Sequence, residues 1–359
     1  QRSTRGLTAV DENARVITTR GSGPVKRAAV VEPAGKPGLR AKGLAVRQTT
    51  ANIGQPPAKQ AKRAPLGVKK EEQKTDEIVR PTNGETSSEC EMLTQDFVRD
   101  MQEYLYDSEE QFLVDELFLT EKKVTAKMRS ILIDWIVQVH QRFHLLAETL
   151  HLTVYIVDRY LETVNVDKAE LQLVGVCAML AASKYEETYC PELKDFEFIT
   201  DGAFTKKQMV SMEIGVMQAS NFDFGRAHSI QFLRSFSQKA EANANIHCMA
   251  KYFSEMTLID ASFSSVRPSL IAAGALWLAD NIKGSELNLK KAFSLVNDSS
   301  FMKEAIETGK SMAACIVRVR RVGKLRAVTE KYGSSKMYHA SDLKSTEEAA
   351  LEKIVLEDE

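Results

Sequence analysis

An all-α fold is predicted, two tandem helical bundles behind a disordered N-terminal tail, and three observations predict it. Between Met92 and Val266 the chain has a single proline, Pro191, and its apolar residues recur at helical spacing with little strand-like alternation. Two stretches, Leu171-QLVGVCAMLAASKY and Pro268-SLIAAGALWLADNI, are apolar on nearly every side. A helix of that kind lies in the middle of a bundle, and neither run reaches the ~20 apolar residues that a membrane crossing needs. From Gln1 to about Ser88, by contrast, there is no aromatic residue, and seven of the nine prolines fall there. Such a segment buries too little apolar area to offset the entropy of ordering it.

The totals narrow the function classes. A chain of 359 residues with a net charge of -1 has no general attraction for nucleic acid or membrane. The average hides an asymmetry: up to Lys70 only Asp11, Glu12 and Glu32 oppose many lysines and arginines. The five cysteines are scattered, odd in number and without a CxxC pair. That spacing argues against a zinc site and for a reducing compartment. No secretory apolar region opens the chain, and with Gln1 first, a few residues are expected to precede it.

In chain order, Asp96 to Leu105 reads as an amphipathic helix with Phe97, Met101, Tyr104 and Leu105 on one side. Met128, Ile131, Leu132, Trp135, Val139 and Phe143 follow the i, i+3, i+4, i+7 spacing of the next. Ala147 to Leu161 repeats it, and the buried helix 171–187 follows. Asp201 to Phe204 is a turn. Thr205-Lys-Lys-Gln208 has the form of a capping box that starts a helix running to Ala219. The first bundle is then five helices around a buried one. Asn221 to Ala227 reads as a linker, followed by helices near Ser229–Gln238 and Asn245–Leu258. The second buried helix has Pro268 at a suitable first position, and Met302 to Val317 closes the second bundle. The expected division is a tail over 1–88, bundles over 89–225 and 226–340, and a mobile acidic tail over 341–359.

The motif survey points to binding and not to catalysis. No phosphate-cradling glycine loop opens a helix, no nucleophile stands out, and no catalytic residue, metal ligand set or cofactor is expected. His140 and His144 share a helix face but lack a third ligand, and a solvated face is the reading favoured for them. The charged end Ser183-Lys-Tyr-Glu-Glu187 of the first buried helix is either a solvated cap or a docking point. Met128, Ile131, Leu132 and Trp135 form either ordinary core or an apolar surface groove suited to a leucine-bearing peptide.

Met128-RSILIDWIVQVH and Ser183-Lys-Tyr-Glu-Glu187, with the second bundle behind them, closely resemble the cyclin box over roughly Leu93 to Tyr338. The family's five signature positions find matches in Arg129, Asp158, Leu173, Lys184 and Glu213. Gln231-Phe-Leu-Arg234 and Ala250-Lys-Tyr252 look most like B-type mitotic cyclins, and Thr188-Tyr-Cys-Pro-Glu192 is also close to A-type ones. The resemblance implies a non-catalytic activating subunit of a serine/threonine cyclin-dependent kinase, forming a heterodimer with it at the G2/M transition. It implies an internal ion pair between Arg129 and Asp158. It places Lys184, Tyr185 and Glu213 against the kinase. It assigns Met128, Ile131, Leu132, Trp135 and Gln172 to a groove for Arg-x-Leu motifs of substrates and inhibitors. Gln138 stands where A-type cyclins carry a glutamate, so less selectivity for the motif's arginine is expected.

Arg234, His247 and Lys251 match a cationic pocket of B-type cyclins that holds the phosphate of phosphorylated partners. In the tail, Arg63-Ala-Pro-Leu66 looks like a destruction box read by the mitotic ubiquitin ligase, although Glu71 replaces the usual asparagine. The Arg5, Leu7, Asn13 segment is the alternative, with Arg and Leu one residue too close. Location in nucleus and cytoplasm, with no DNA and no membrane partner, completes the expectation. The rival readings are an A-type cyclin of S phase and G2, and a transcription-initiation scaffold of the same fold that binds DNA.

Overall fold

The computed structural model describes residues 88–294, 296 and 300–356, and among them the regular structure is entirely helical. The chain forms α1 (Ser88–Glu109), α2 (Ala126–Phe143), α3 (Ala147–Thr163), α4 (Leu171–Glu186), α5 (Leu193–Ile199) and α6 (Lys206–Ala219). It continues through α7 (Ser229–Lys239), α8 (Ala244–Thr257), α9 (Pro268–Lys283), α10 (Leu289–Ala292), α11 (Phe301–Val322), α12 (Ala327–Tyr332) and α13 (Ser345–Leu356).

The helix ends follow local chemistry. Thr125 starts α2 by accepting the Met128 N–H, and His144 stops it in the left-handed conformation with φ 55°. Thr205 and Gln208 form the reciprocal box at the start of α6. Pro268 stands in the first turn of α9, where its missing N–H is harmless, and Gly284 ends that helix at φ 60°.

Each bundle is built on its apolar helix. In the first, α4 is buried from Leu173 to Ser183 and is flanked by α2, α3, α5 and α6. In the second, α9 is flanked by α7, α8, α11 and α13. The α9–α11 approach is tight: a Cβ on Gly274 would lie 2.9 Å from both the Ala305 carbonyl oxygen and the Gly309 nitrogen. Only a glycine permits that crossing.

Three expectations are corrected. α1 belongs with the second bundle. Tyr106 stacks on Phe232 with centroids 5.0 Å apart, Lys239 donates to Gln102 at 2.7 Å, and Glu109 accepts the Ser269 N–H and hydroxyl at 2.9 and 2.8 Å. That contact turns the α1 stripe of Phe97, Met101 and Tyr104 outward, with Phe97 66% exposed. The segment 341–359, expected as a mobile acidic tail, carries α13, which docks on α9 and α11. Leu351 is buried there, Lys283 pairs with Glu347 at 2.7 Å, and Arg320 pairs with Glu348 at 2.7 Å. His140, expected on a solvated face, is buried and holds the Leu146 carbonyl at 2.8 Å. α12 packs against α2 there, and Lys331 of α12 and Glu255 of α8 both act on the ring.

Arg129 ties the two bundles together. It is 1% exposed. Its Nε and Nη2 meet Asp158 of α3 at 2.5 and 2.6 Å, and its Nη1 reaches the Leu258 and Ile259 carbonyls at 2.9 and 3.3 Å. Ser130 donates to the same Ile259 carbonyl at 2.8 Å. Asp134 does similar service in the middle of α2, accepting the Ala327 N–H of α12 at 2.9 Å. Breaking a buried pair leaves an uncompensated charge, which costs ~3–5 kcal/mol. Asp158→Asn is therefore expected to lower unfolding stability by about that amount in urea denaturation followed by circular dichroism, with loss of cooperativity between the bundles.

Candidate functional site

The last turn of α4 is where the buried helix reaches the surface, and its charged residues divide by direction. Ser183 is buried. Lys184 faces out, its side chain 51% exposed, and Nζ meets Glu213 Oε1 of α6 at 2.5 Å. Glu213 is nearly buried, its side chain 10% exposed, because α6 packs along α4 through Met209, whose carbonyl takes the Cys177 thiol at 3.3 Å. Tyr185 also faces out. Its ring edge rests on Phe224 with centroids 5.8 Å apart. Partial burial raises its phenol pKa, helped by the charges of Glu186 and Asp223 and by Tyr104 of α1. Tyr104 of the exposed α1 stripe is therefore near the α4 end.

Glu187 has a different task. Its Oε1 accepts the Leu146 N–H at 2.7 Å and the Thr149 hydroxyl at 2.5 Å, capping α3. The residues of the charged cluster thus differ in direction. Lys184 and Tyr185 point outward, and Glu187 holds structure together.

On α2, Met128 and Trp135 are half-buried and Ile131 is exposed, so three of the four groove candidates present surface. Leu132 is buried beneath them. A Cβ on Gly175 of α4 would come 2.9 Å from Leu132 Cδ1, so glycine there lets α4 approach α2. Gln172 is half-buried at the start of α4. Gln138 is exposed and donates to Asp134 Oδ2 at 3.2 Å. Burial raises the Asp134 pKa.

The three cationic residues of the second bundle are less closely joined. Arg234 on α7 pairs with Glu148 of α3, across the bundle junction. His247 on α8 holds the Ser237 hydroxyl of α7 at 2.9 Å, and Lys251 on α8 is buried. Arg5, Leu7, Asn13, Arg63 and Leu66 lie outside the described residues. Among the described residues no group of His, Cys, Asp or Glu is arranged to hold a metal, and no helix is long and apolar enough to cross a membrane.

Sequence reasoning did not find the outward face of α1, or Ile214, exposed one residue beyond Glu213. The apolar spacing of α1 was visible, but its direction was not.

Residues 100–225 match the family described as "Cyclin, N-terminal domain", and residues 228–346 match "Cyclin, C-terminal domain". The chain belongs to the cyclin family. Within it, the similarity is to B-type cyclins. The G2/mitotic-specific cyclin-B of Spisula solidissima is 42% identical over 252 residues, 70% of this chain and 58% of that one. The G2/mitotic-specific cyclin-B2 of Oryzias latipes is 38% identical over 336 residues, 92% of this chain and 85% of that one. The chain spans 58%, 64% and 64% of the first three such relatives. A viral cyclin from herpesvirus saimiri shares the fold, with a TM-score of 0.50 and 20% identity over 62% of this chain and 96% of that one.

Three buried histidines set the acid sensitivity of this region. Burial lowers the pKa of His140 to about 4 and those of His151 and His228 to about 3, from an ordinary 6.5. Above pH 6.5 both folded and unfolded chains carry them neutral. Below it only the unfolded chain takes up protons, so stability falls until the folded values are reached. By pH 5 each contributes a loss of up to about 2 kcal/mol, at 1.36 kcal/mol per unit. The thermal midpoint is expected to fall steeply from pH 6.5 to 5, and His140→Gln is expected to flatten that slope in calorimetry.

Proposed function

We propose that this chain is the non-catalytic activating subunit of a mitotic cyclin-dependent kinase, working at the G2/M transition. The observation that carries the proposal is the surface pair Lys184–Glu213 set beside exposed Tyr185 and Ile214, with Tyr104 of α1 near, on a cyclin fold similar to B-type cyclins. In the free chain the ammonium and the carboxylate satisfy each other. Against a partner, a main-chain carbonyl can take the Lys184 N–H groups and a main-chain N–H can meet Glu213. The apolar neighbours then bury, each contributing ~1.5–3 kcal/mol. An interface above ~2,000 Å² in total is expected, as in many signalling assemblies.

Activation is a population shift. The chain binds the kinase conformation whose catalytic helix is in place, and so raises the share of that conformation. ATP, magnesium and phosphoryl transfer belong to the kinase, and this chain holds no cofactor.

The other surfaces extend the proposal. Met128, Ile131, Trp135 and Gln172 dock Arg-x-Leu motifs of substrates and inhibitors, with Leu132 as the floor. Arg234, His247 and Lys251 receive phosphorylated partners, for which Arg234 exchanges Glu148 for phosphate. The basic N-terminal segment carries the signal for a mitotic ubiquitin ligase, at Arg63 and Leu66 or at Arg5, Leu7 and Asn13. The chain works in nucleus and cytoplasm.

The test is phosphorylation of a peptide by a mitotic cyclin-dependent kinase with the full chain present. Lys184→Ala combined with Glu213→Ala is expected to lower activation at least about tenfold, equivalent to a loss of ~1.4 kcal/mol of binding, with unchanged circular dichroism. Full activation by the double variant overturns the proposal. The groove has its own test. Gln138→Glu adds a carboxylate at an exposed position and is expected to tighten a basic Arg-x-Leu peptide about two- to fivefold by calorimetry, the range of an exposed ion pair. Unchanged affinity would show that Gln138 does not face the motif's arginine.

A further inference from the structure

A polar cavity of about 50 Å³ lies where the two bundles meet, several times the ~10–15 Å³ that one water requires. Its lining includes His151, Tyr155 and Asp158 of α3, Arg226 of the linker, His228 and Ser229. Arg129 and Arg226 both reach it, and the two differ. Each Arg129 nitrogen has a strong acceptor. Arg226 donates from Nε to the Ala227 carbonyl at 3.3 Å and lies over the Tyr155 ring at 4.4 Å, and no carboxylate pairs with it among the described residues. The carboxylates whose charge it feels are engaged elsewhere. Asp158 serves Arg129 and Ser264, and Glu109 caps Ser269. Burial draws the Arg226 pKa down to about 10. Arg226 is half-buried, and a guanidinium partly withdrawn from water without a counter-charge is costly.

The histidines supply a second, independent sign. His151 is 7% exposed, lines the cavity, and makes no hydrogen bond among the described residues. His228 lies beside it, ring centroids 6.2 Å apart. Its side chain accepts the Gln231 N–H, and Nε2 is left without a hydrogen-bond partner. Glu186 Oε1 stands 3.7 Å from that nitrogen, beyond hydrogen-bond reach. The neutral ring therefore carries its proton on Nε2, as a donor with no acceptor.

We propose that this cavity binds one small oxyanion of orthophosphate size, with Arg226 as its charge partner and the His151 and His228 N–H groups as neutral donors. A planar guanidinium offers paired N–H groups matched to two oxygens of such an ion. The ion touches α3 of the first bundle and the linker that starts the second, so its binding braces one against the other. The site is separate from Lys251 and His247 of α8, neither of which lines the cavity.

The experiment is thermal unfolding of the full chain with orthophosphate titrated at constant ionic strength, balanced by a bulky organic anion. A saturable rise of several degrees is expected for the wild type and for Arg234→Ala combined with Lys251→Ala. Arg226→Gln is expected to unfold no earlier than the phosphate-free wild type and to show no response. His151→Phe is expected to weaken the response at least about tenfold in midpoint concentration, and it decides the matter if Arg226→Gln does not fold. Crystals grown with selenate are expected to show an anomalous peak beside Arg226. A flat wild-type titration, a response that survives Arg226→Gln or His151→Phe, or a cavity holding only water with selenate present overturns the proposal.

Discussion

Every N–H of the Arg129 guanidinium is directed inward, and the two bundles depend on it. Two go to the Asp158 carboxylate, two to carbonyls at the end of α8, and one to the Ser264 hydroxyl. A rigid five-donor fork can join three elements at once where a lysine could not. Because the pair is desolvated, it adds less to net stability than to the choice of one arrangement: any other packing would strand a charge in the interior.

That fixed arrangement has consequences at the surface. With α2 and α3 locked to the α8–α9 connection, α4 emerges at one end with Lys184 and Tyr185 outward and Glu187 turned back to cap α3. α1 is then held on the second bundle by Glu109, whose buried carboxyl has a raised pKa because desolvation outweighs its bonds to Ser269. The outcome is a surface where a charged pair stands beside exposed Tyr185 and Ile214. That combination is suited to gripping another protein.

The junction between the bundles holds several polar groups. Glu255 of α8 is fully enclosed, yet its pKa falls to about 2: desolvation alone would raise it, and the Lys331 ammonium with the Tyr332 hydroxyl more than offsets that. His140 lies nearby, and His151 and His228 line the cavity. Such groups stay together only where each charge has an answer, and for that reason an arginine with none invites a ligand.

The sequence by itself determined the helical class, the two apolar central helices, the Thr205–Gln208 box and Pro268 at the head of α9, since each rests on residues within a turn or two of one another. It also marked Arg129, Asp158, Lys184 and Glu213 through their resemblance to the cyclin box, although the pairing distances were not legible. Tertiary structure alone decided which face of α1 is covered, that His140 is interior, that Glu187 caps α3, and that 345–356 folds as α13. Periodicity states which residues share a side of a helix. Which side meets a neighbour depends on contacts such as Glu109 with Ser269 or Lys283 with Glu347, whose partners stand 160 and 64 positions apart, and no local pattern encodes those.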